Sequence, residues 1–266
     1  MSKRIKILLF PLVVLCTAVE AWSSPIVGSS ANTLPKGKFM FEGHTLLINF
    51  SSIYDENISE WTDLPDDSTF NIYLFLPQFY YGISDWLTVR LTVPVKLQNQ
   101  KFDVSKESKG ISDIVLDTKC RFVKGAIISG FTGIRFPTGN TEADIPLGDG
   151  STDFVGGLLL TKRVMSVIGN ITLGYWLNGK SNSGTQLDNT VFYNITAENP
   201  MFNKWAFVLE LDGSKEGDKY IFQLCPGVYN KSFKGLTLEA ALEIPVLAKH
   251  GLKYKFAPWV GLIYIF

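Results

Sequence analysis

The stretch Leu252-Lys-Tyr-Lys-Phe-Ala-Pro-Trp-Val-Gly-Leu-Ile-Tyr-Ile-Phe266 decides the fold, because its alternate residues form two different rows. The first row is apolar throughout: Leu252, Tyr254, Phe256, Pro258, Val260, Leu262, Tyr264 and Phe266. The second row begins with charge: Lys253, Lys255, Ala257, Trp259, Gly261, Ile263 and Ile265. A period of two predicts a β-strand, and an unbroken apolar row requires an apolar medium beside it. That medium is either a soluble core or the hydrocarbon of a bilayer, where the sheet has to close.

Composition supports a β-rich chain beside a membrane. The 266 residues include 19 Phe, 10 Tyr and 6 Trp, and the formal net charge is zero. Aromatic residues favour strands and form the girdles at membrane interfaces. A neutral charge balance gives no indication of a nucleic-acid partner.

The beginning of the chain predicts an export signal. Basic residues at positions 3, 4 and 6 precede an apolar run over residues 7–19. This run is too short to span a bilayer comfortably, which favours a cleaved leader over an anchor helix. We predict a signal peptide over residues 1–21, with later cleavage options up to Ser24. Residues 25–266 then form a single outer-membrane β-barrel domain.

Alternation continues along most of the chain. Between Trp86 and Gln98, aliphatic residues occupy one face and Thr, Arg, Lys and Gln occupy the other. Aliphatic side chains outside and charges inside fit a barrel wall around water. We therefore predict an all-β fold, a closed antiparallel transmembrane barrel of about twelve strands, with ten or fourteen as alternatives. The predicted strands are 38–49, 69–81, 86–98, 111–123, 126–136, 154–162, 167–178, 191–198, 205–212, 220–230, 235–248 and 252–266.

Long and short connections take turns along the chain. The predicted long connections are 50–68, 99–110, 137–153 and 179–189, and the first of them is acidic. The predicted tight turns lie around Gly82, Lys124, Arg163, Asn199 and Ser232. Extracellular loops and periplasmic turns alternate in this way in outer-membrane barrels. The pattern predicts that both termini are periplasmic in a Gram-negative outer membrane.

Charged residues on the predicted inner faces are the candidate site. Two of their pairings follow from the predicted turns: Asp113 opposite Arg135, and Glu243 opposite Lys255. The charges either line an aqueous path and set its ion preference, or pair across the lumen and hold a narrow barrel shut. The candidates are Glu42, His44, Arg90, Lys96, Asp113, Asp117, Lys119, Arg121, Arg135, Glu210, Asp212, Glu239, Glu243, Lys253 and Lys255.

Enzymatic chemistry has little support in the sequence. The two histidines, His44 and His250, lack a Ser or Cys partner at motif spacing, which disfavours a lipid-modifying hydrolase. They also give no His/Cys metal centre. Cys120 and Cys225 are far apart and are expected to be isolated thiols. We predict no catalytic residues, no cofactor and no metal site, although oxygen ligands in the acidic loops leave calcium as a minor alternative.

Several short motifs resemble one family of membrane proteins. In order they are Gly82-Ile-Ser-Asp-Trp-Leu-Thr-Val-Arg-Leu-Thr-Val-Pro-Val95, Gly110-Ile-Ser-Asp113, Gly133-Ile-Arg-Phe-Pro-Thr-Gly-Asn140 and Leu147-Gly-Asp-Gly-Ser-Thr-Asp-Phe154. The chain resembles the transporter-like outer-membrane family named for the meta-pathway of phenol degradation. This resemblance implies a β-barrel that moves small, often aromatic, compounds across the outer membrane. It brings no catalytic residues. The segment before the first strand is short, so we expect no plug of the kind found in fatty-acid-type transporters.

Two functions remain open at this point. The first is a channel or transporter for small solutes, and the second is a closed structural or surface-display barrel whose acidic loops bind ligands. The expected partners are outer-membrane lipids, lipopolysaccharide and the solute. The terminal strand ending in Phe266 also resembles the C-terminal strand of bacterial outer-membrane barrels, which implies recognition by the barrel assembly machinery.

Overall fold

The computed structural model describes residues 28–55, 60–65, 67–102, 104–123, 127–200, 204–249 and 252–266. The predicted signal peptide lies outside the described residues. So do Glu56 and Asp66 of the acidic loop, and the predicted turns at Lys124 and His250.

Across the described residues the chain forms β-strands and no helix. In that part of the chain there is accordingly no helix that is long and apolar enough to cross a membrane. The strands are β1 (Phe39–Asp55), β2 (Glu60–Asp63), β3 (Thr69–Ser84), β4 (Leu87–Thr92), β5 (Val95–Lys101), β6 (Ser105–Ile111), β7 (Ile114–Val123), β8 (Ile127–Phe136), β9 (Asp153–Val164), β10 (Val167–Leu177), β11 (Thr190–Pro200), β12 (Trp205–Glu216), β13 (Lys219–Phe233), β14 (Leu236–Lys249), β15 (Leu252–Tyr254) and β16 (Ala257–Ile265).

These strands form one antiparallel sheet that closes on itself, because β1 pairs with β3 on one side and with β16 on the other. Three wall strands are interrupted: β4–β5 at Val93 and Pro94, β6–β7 at Ser112 and Asp113, and β15–β16 after Tyr254. Counting each interrupted pair once, and leaving out the short β2, the described residues give twelve wall strands. The prediction of a closed barrel of about twelve strands is confirmed.

The connections differ between the two ends of the barrel. One end carries the connections 137–152 and 178–189, and we call it the loop end; the other is the turn end. The predicted long connection 99–110 is wrong, because β5 and β6 form a ladder there, with Gln98 opposite Ser108. Polar residues on both faces of this hairpin hide its period of two. Polar residues also hide the end of β1, which continues to Asp55 beyond the predicted strand 38–49.

The two faces of the wall have opposite chemistry. In β12, Phe207 and Leu209 are exposed on the outer face, whereas Val208 and Glu210 are fully buried on the inner face. One group of exposed aromatic residues lies near the turn end, as in an interfacial girdle of a membrane barrel. They are Phe39, Phe79, Tyr81, Trp86, Phe122, Trp205, Phe233, Tyr264 and Phe266. The outward-facing residues of β3 from Ile83 to Tyr73 span about 25 Å along the barrel axis when the tilt of the strand is included. This is the height of the apolar band of a membrane barrel.

The C-terminal strand confirms the predicted rows only in part. Trp259 and Ile263 are buried and Val260 is exposed, as the alternation predicts. Tyr254, however, was expected on the outer row and is buried inside, where its hydroxyl donates to Glu243. Between β15 and β16 the strand is interrupted at Lys255 and Phe256, and this irregularity moves the residues before it to the opposite face.

Candidate functional site

A segment that precedes β1 lies inside the barrel. Residues Gly28–Leu34, which we call the lumen segment, are mostly buried, with Ala31 0% and Leu34 4% exposed. Its backbone N–H groups donate to inward side chains of the wall: Gly28 to Glu210 (3.1 Å), Ala31 to Thr161 (2.8 Å) and Leu34 to Thr88 (2.7 Å). The segment before β1, which we expected to be too short for a plug of the fatty-acid-transporter type, therefore still occupies part of the lumen.

Wall side chains also satisfy the carbonyl groups of the lumen segment. Lys119 Nζ donates to the carbonyl of Ser30 over 2.8 Å, and the Ser129 hydroxyl donates to the carbonyl of Ala31. An extended backbone inside a barrel requires such partners, because an unpaired buried polar group costs free energy. The sequence feature that could have predicted this segment is the run of small, uncharged residues from Gly28 to Thr33, because small side chains fit between the crowded inward side chains of the wall.

The lumen segment leaves the barrel beside Gly82. The N–H of Gly37 donates to the carbonyl of Gly82 (2.8 Å), and the N–H of Gly82 donates to the carbonyl of Lys38 (3.0 Å). A Cβ at position 82 would overlap the carbonyl oxygens of Leu34 and Pro35. Gly82 was predicted to shape a tight turn, but the turn lies at Asp85 and Trp86; the glycine instead lets two backbones approach closely.

Two cavities flank the lumen segment. The loop-end cavity has a volume of about 350 Å³, and its walls include Arg90, Phe131 and Asp212. The turn-end cavity has a volume of about 270 Å³, and its walls include Glu42 and Lys231. Gly28 and Ser29 line both, so the lumen segment separates one cavity from the other.

Aromatic rings form one side of the loop-end cavity. Phe131 of β8 and Phe192 of β11 have ring centroids 6.2 Å apart, and both rings line the cavity. Gly157 and Gly174 face each other on β9 and β10, and a Cβ at either position would overlap one of these rings. The two glycines thus leave room for a pair of rings that lie against the wall, which we call the aromatic shelf. Trp176 lines the same cavity farther toward the loop end.

A charged pair on β4 and β7, the strands next to β8, also faces the cavity. Arg90 Nε donates to Asp117 over 2.7 Å, and Arg90 Nη1 donates to Gln78 over 3.2 Å. Arg90 also lies 5.8 Å from the ring centroid of Tyr80, a distance typical of a cation–π contact. Lys119, two residues after Asp117, adds a second cation to this wall.

The wall built by β1, β11, β12 and β14 is acidic. His44 Nε2 lies 2.9 Å from Glu239 Oε2, Asn194 donates to Glu210 over 2.9 Å, and Trp259 Nε1 donates to Glu243 over 2.8 Å. Cations concentrate on the opposite wall, so the described lumen carries a transverse charge separation. The inward carboxylates of the acidic wall are Glu42, Glu198, Glu210, Asp212, Glu239 and Glu243, all at most 8% exposed.

The structure corrects both predicted charge pairings. Arg135 lies opposite Val115 and pairs with Asp149 and Asp153, whereas Asp113 accepts from the N–H of Gly139 over 2.9 Å. The whole β7–β8 ladder lies two residues away from the predicted register and has an irregularity between Arg121 and Val123, and the break at Ser112 and Asp113 leaves Asp113 outside the ladder.

Glu243 lies opposite Ala257 rather than Lys255, and Lys255 is exposed. The Lys253 ammonium lies 5.6 Å from the ring centroid of Trp61 in β2. Because Tyr254 points inward, the alternation turns both lysines away from the lumen. The remaining candidates hold the inner-face positions predicted for them: Glu42, His44, Arg90, Lys96, Asp117, Lys119, Arg121, Arg135, Glu210, Asp212, Glu239 and Glu243.

The connection 137–152 folds over the inner face at the loop end. Its carbonyls at Pro146 and Leu147 accept from Gln98 (3.2 Å) and Lys96 (3.4 Å), and the N–H of Ile145 donates to Ser108 (2.8 Å). Asn182 of the connection 178–189 donates both its backbone N–H and its side-chain amide to this loop. The two connections together form a cap over part of the lumen.

A buried ion pair fastens the cap to the wall. Arg135 donates to Asp149 and Asp153, and Asp153 also accepts from Ser151 and from the N–H of Gly179, both over 2.7 Å. Partial burial acts to raise the pKa of Asp149, but hydrogen bonds from Ser151, with Arg135 nearby, hold that pKa below its ordinary value. The cap therefore depends on ionised carboxylates.

The described residues offer few groups for metal binding or thiol chemistry. Within the described residues, no group of three or more His, Cys, Asp and Glu side chains is arranged to hold a metal ion. Cys120 and Cys225 are free thiols, as predicted.

Comparison with known proteins places the fold. A scan of protein-family models gives no match, and a search of curated proteins gives none either. An outer membrane channel from Pseudomonas putida F1 has a TM-score of 0.78 at 12% identity, over 92% of this chain and 100% of that one. The CymD monoaromatic hydrocarbon channel has a TM-score of 0.53 at 7% identity (88% and 89% covered), and the β domain of the Bordetella autotransporter BrkA has 0.54 at 10% (87% and 100% covered). This chain thus has the fold of outer-membrane β-barrels.

Proposed function

We propose that this chain is an outer-membrane channel for small aromatic solutes, which bind in the loop-end cavity on their way through the barrel. The observation that carries the proposal is the aromatic shelf of Phe131 and Phe192 within a cavity of about 350 Å³ inside a membrane barrel. Ligand pockets typically begin at about 300 Å³, so the cavity suits a single-ring compound. The resemblance to a phenol-degradation transporter family and the fold shared with a monoaromatic hydrocarbon channel agree with this proposal.

The charges around the shelf set the orientation of the solute in this proposal. A ring placed against Phe131 and Phe192 lies between the Arg90–Asp117 pair on one wall and Asp212 on the other. Opposed charges across a narrow lumen create a transverse field, which orients a polar substituent and sets ion preference. The inward candidates named above are therefore proposed selectivity residues, with Lys253 and Lys255 left out because they face away from the lumen.

The membrane context is also part of the proposal. A Gram-negative outer membrane with both termini in the periplasm places the cap outside the cell, and residues 25–266 form the exported domain. Outer-membrane lipids and lipopolysaccharide then surround the apolar band. We further propose that the barrel assembly machinery recognises the C-terminal strand through Phe266, and that the chain has no catalytic role.

Replacing Phe192 with alanine tests the binding site. Removing one ring of the shelf sacrifices an aromatic contact and apolar burial, worth about 1–2 kcal/mol together. We expect the affinity for a single-ring aromatic solute to fall about 5- to 30-fold. Quenching of tryptophan fluorescence measures it, because Trp176 lines the same cavity.

Phe207→Ala is the matched control, because Phe207 is exposed on the lipid-facing side of β12. Equal affinities of the Phe192 and Phe207 variants for the solute would place the binding site elsewhere. A difference in electrophoretic mobility between the unheated and the heated protein confirms that each variant is folded.

A closed surface-display barrel is the second candidate. The observation in its favour is the cap, in which the connections 137–152 and 178–189 are bonded to each other and to the wall. This function predicts that no aromatic solute enters proteoliposomes containing the folded protein. Solute entry that Phe192→Ala slows would favour the channel instead.

A further inference from the structure

The outer surface of β12–β14 changes abruptly in character near the loop end. Directly opposed residues on adjacent strands form rows across this lipid-facing side, and the rows run obliquely to the barrel axis because the strands are tilted. One row contains Tyr193, Phe222 and Leu247, with Gly213 between the first two. Rows farther toward the turn end are also apolar, as in Ile195, Leu211 and Leu224. The apolar band of this wall therefore ends at the row of Phe222.

Beyond the exposed Val191 of β11, the next row toward the loop end is basic. Lys215 lies directly opposite Tyr220, and Tyr220 lies directly opposite Lys249. Lys215 is exposed and Tyr220 is 44% exposed, so the row presents two ammonium groups on either side of an aromatic ring. We call Lys215, Tyr220 and Lys249 the basic row. Adjacent strands are about 4.8 Å apart, which places the two lysine backbones about 10 Å from each other.

The carboxylates around the tip of the β12–β13 hairpin lie outside the basic row. Glu216 alternates to the inner face and lies opposite Lys219, Asp218 occupies the exposed turn, and the Asp188 carboxylate lies beside Gly217 of that turn. None of these three side chains belongs to the row that faces the lipid. A cation just beyond the edge of an apolar band lies at the depth of lipid headgroups.

We propose that the basic row binds the phosphate groups of a phosphorylated glycolipid in the outer leaflet, the lipid A part of lipopolysaccharide. This inference rests on the membrane placement in the proposed function and adds a lipid site to it. Two cations about 10 Å apart match a headgroup that carries more than one phosphate, and the tyrosine offers a hydroxyl donor with an apolar body toward the acyl chains. A free phosphate ion would use the cations but would gain nothing from the apolar row below them.

The opposite wall carries a weaker counterpart. Tyr73 of β3, Leu97 of β5 and the exposed Lys109 of β6 lie directly opposite one another, so a single cation stands beside two largely apolar side chains. The basic row differs in placing two lysines around one ring, which makes it the stronger phosphate site.

Native mass spectrometry of the refolded leaderless protein tests the proposal by titration with lipid A. A lysine near an anionic lipid surface contributes about fivefold to affinity, so we expect a loss of about fivefold for Lys215→Gln or Lys249→Gln and about thirtyfold for the double variant. The matched control is Lys180→Gln, an exposed lysine in the connection 178–189, which should bind lipid A as the unaltered protein does.

Two further titrations show whether the basic row recognises the phosphates of a lipid or free phosphate. Lipid A that lacks its phosphates should bind the unaltered protein as weakly as intact lipid A binds the double variant. Inorganic phosphate at the same concentration should not displace lipid A. Unchanged binding of lipid A to the folded double variant, or equal competition by inorganic phosphate, would overturn the proposal.

A measurement of solute binding by the double variant tests the lipid site and the proposed channel independently of each other. The double variant should bind an aromatic solute in the loop-end cavity as the unaltered protein does, because the basic row lies on the outer surface. Loss of solute binding together with loss of lipid A binding would contradict a separate lipid site. A protein that binds lipid A through these lysines but passes no aromatic solute would refute the channel and leave the lipid site standing.

Discussion

Replacing Gly82 with alanine is expected to displace the lumen segment and to raise the conductance of the barrel. The added Cβ would overlap the carbonyl oxygens of Leu34 and Pro35, which are backbone atoms that cannot rotate away. Overpacking of this kind costs about 1–3 kcal/mol, which shifts the population of the displaced segment about 5- to 150-fold. Because the segment separates the two cavities, its displacement joins them into a wider path.

Single-channel recording in planar bilayers measures the effect of Gly82→Ala. The matched control is Gly156→Ala, because the nearest atom to a Cβ at position 156 is the carbonyl oxygen of Phe131 at 3.6 Å, an ordinary contact. We expect larger conductance steps for the Gly82 variant and unchanged steps for the Gly156 variant. Identical steps in both variants would show that the lumen segment does not limit passage.

Replacing Asp153 with alanine is expected to release the cap. Asp153 is fully buried and accepts from Arg135, from Ser151 and from the N–H of Gly179, so its loss leaves the N–H of Gly179 without its acceptor and Arg135 with Asp149 alone. Removing one member of a buried ion pair costs about 3–5 kcal/mol, and the partial exposure of Arg135 favours the lower end, about 3 kcal/mol.

Protease cleavage within 137–152 and 178–189 measures the release of the cap, and the temperature at which electrophoretic mobility changes measures the stability of the barrel. Asp144→Asn is the control, because Asp144 is an exposed carboxylate in the same connection. Faster cleavage in the Asp153 variant, with slow cleavage in the control, is the predicted result. Equal cleavage rates would mean that the ion pair does not hold the cap.

The architecture of the barrel could be predicted because the membrane imposes a simple rule on each strand. Where one face meets hydrocarbon and the other meets the lumen, as in β4 and β12, the period of two appears directly in the sequence. Beyond the hydrocarbon both faces meet water, and the rule disappears. For that reason the β5–β6 hairpin was mistaken for a loop.

Local interruptions explain why some of the site could not be predicted. Alternation carries the face of a residue along a strand only while the ladder is regular. The break at Lys255 and Phe256 moves Tyr254 inside. The β7–β8 ladder has an irregularity after Arg121 and lies two residues away from the predicted register, so Arg135 meets Val115 instead of Asp113. Sequence periodicity does not predict which wall residues bind an extended segment such as Gly28–Leu34 inside the lumen.

The inward positions of the other lumen charges followed from alternation alone, but their partners did not. Arg90 and Asp117 belong to neighbouring strands, and their direct register depends on how β4 meets β7 after an interruption in each wall strand. The aromatic shelf was also missed, because Phe131 and Phe192 come from strands separated by β9 and β10. Gly157 and Gly174 were the available signal, since adjacent inward glycines leave space for large side chains.

Single-channel recording of the refolded leaderless protein, with and without a single-ring aromatic solute, tests the central claim most directly. The proposed channel predicts discrete, salt-dependent steps that the solute interrupts, and it predicts weaker interruption in the Phe192→Ala variant. The absence of steps from verified folded protein, both unaltered and with Gly82→Ala, would contradict a path through the lumen.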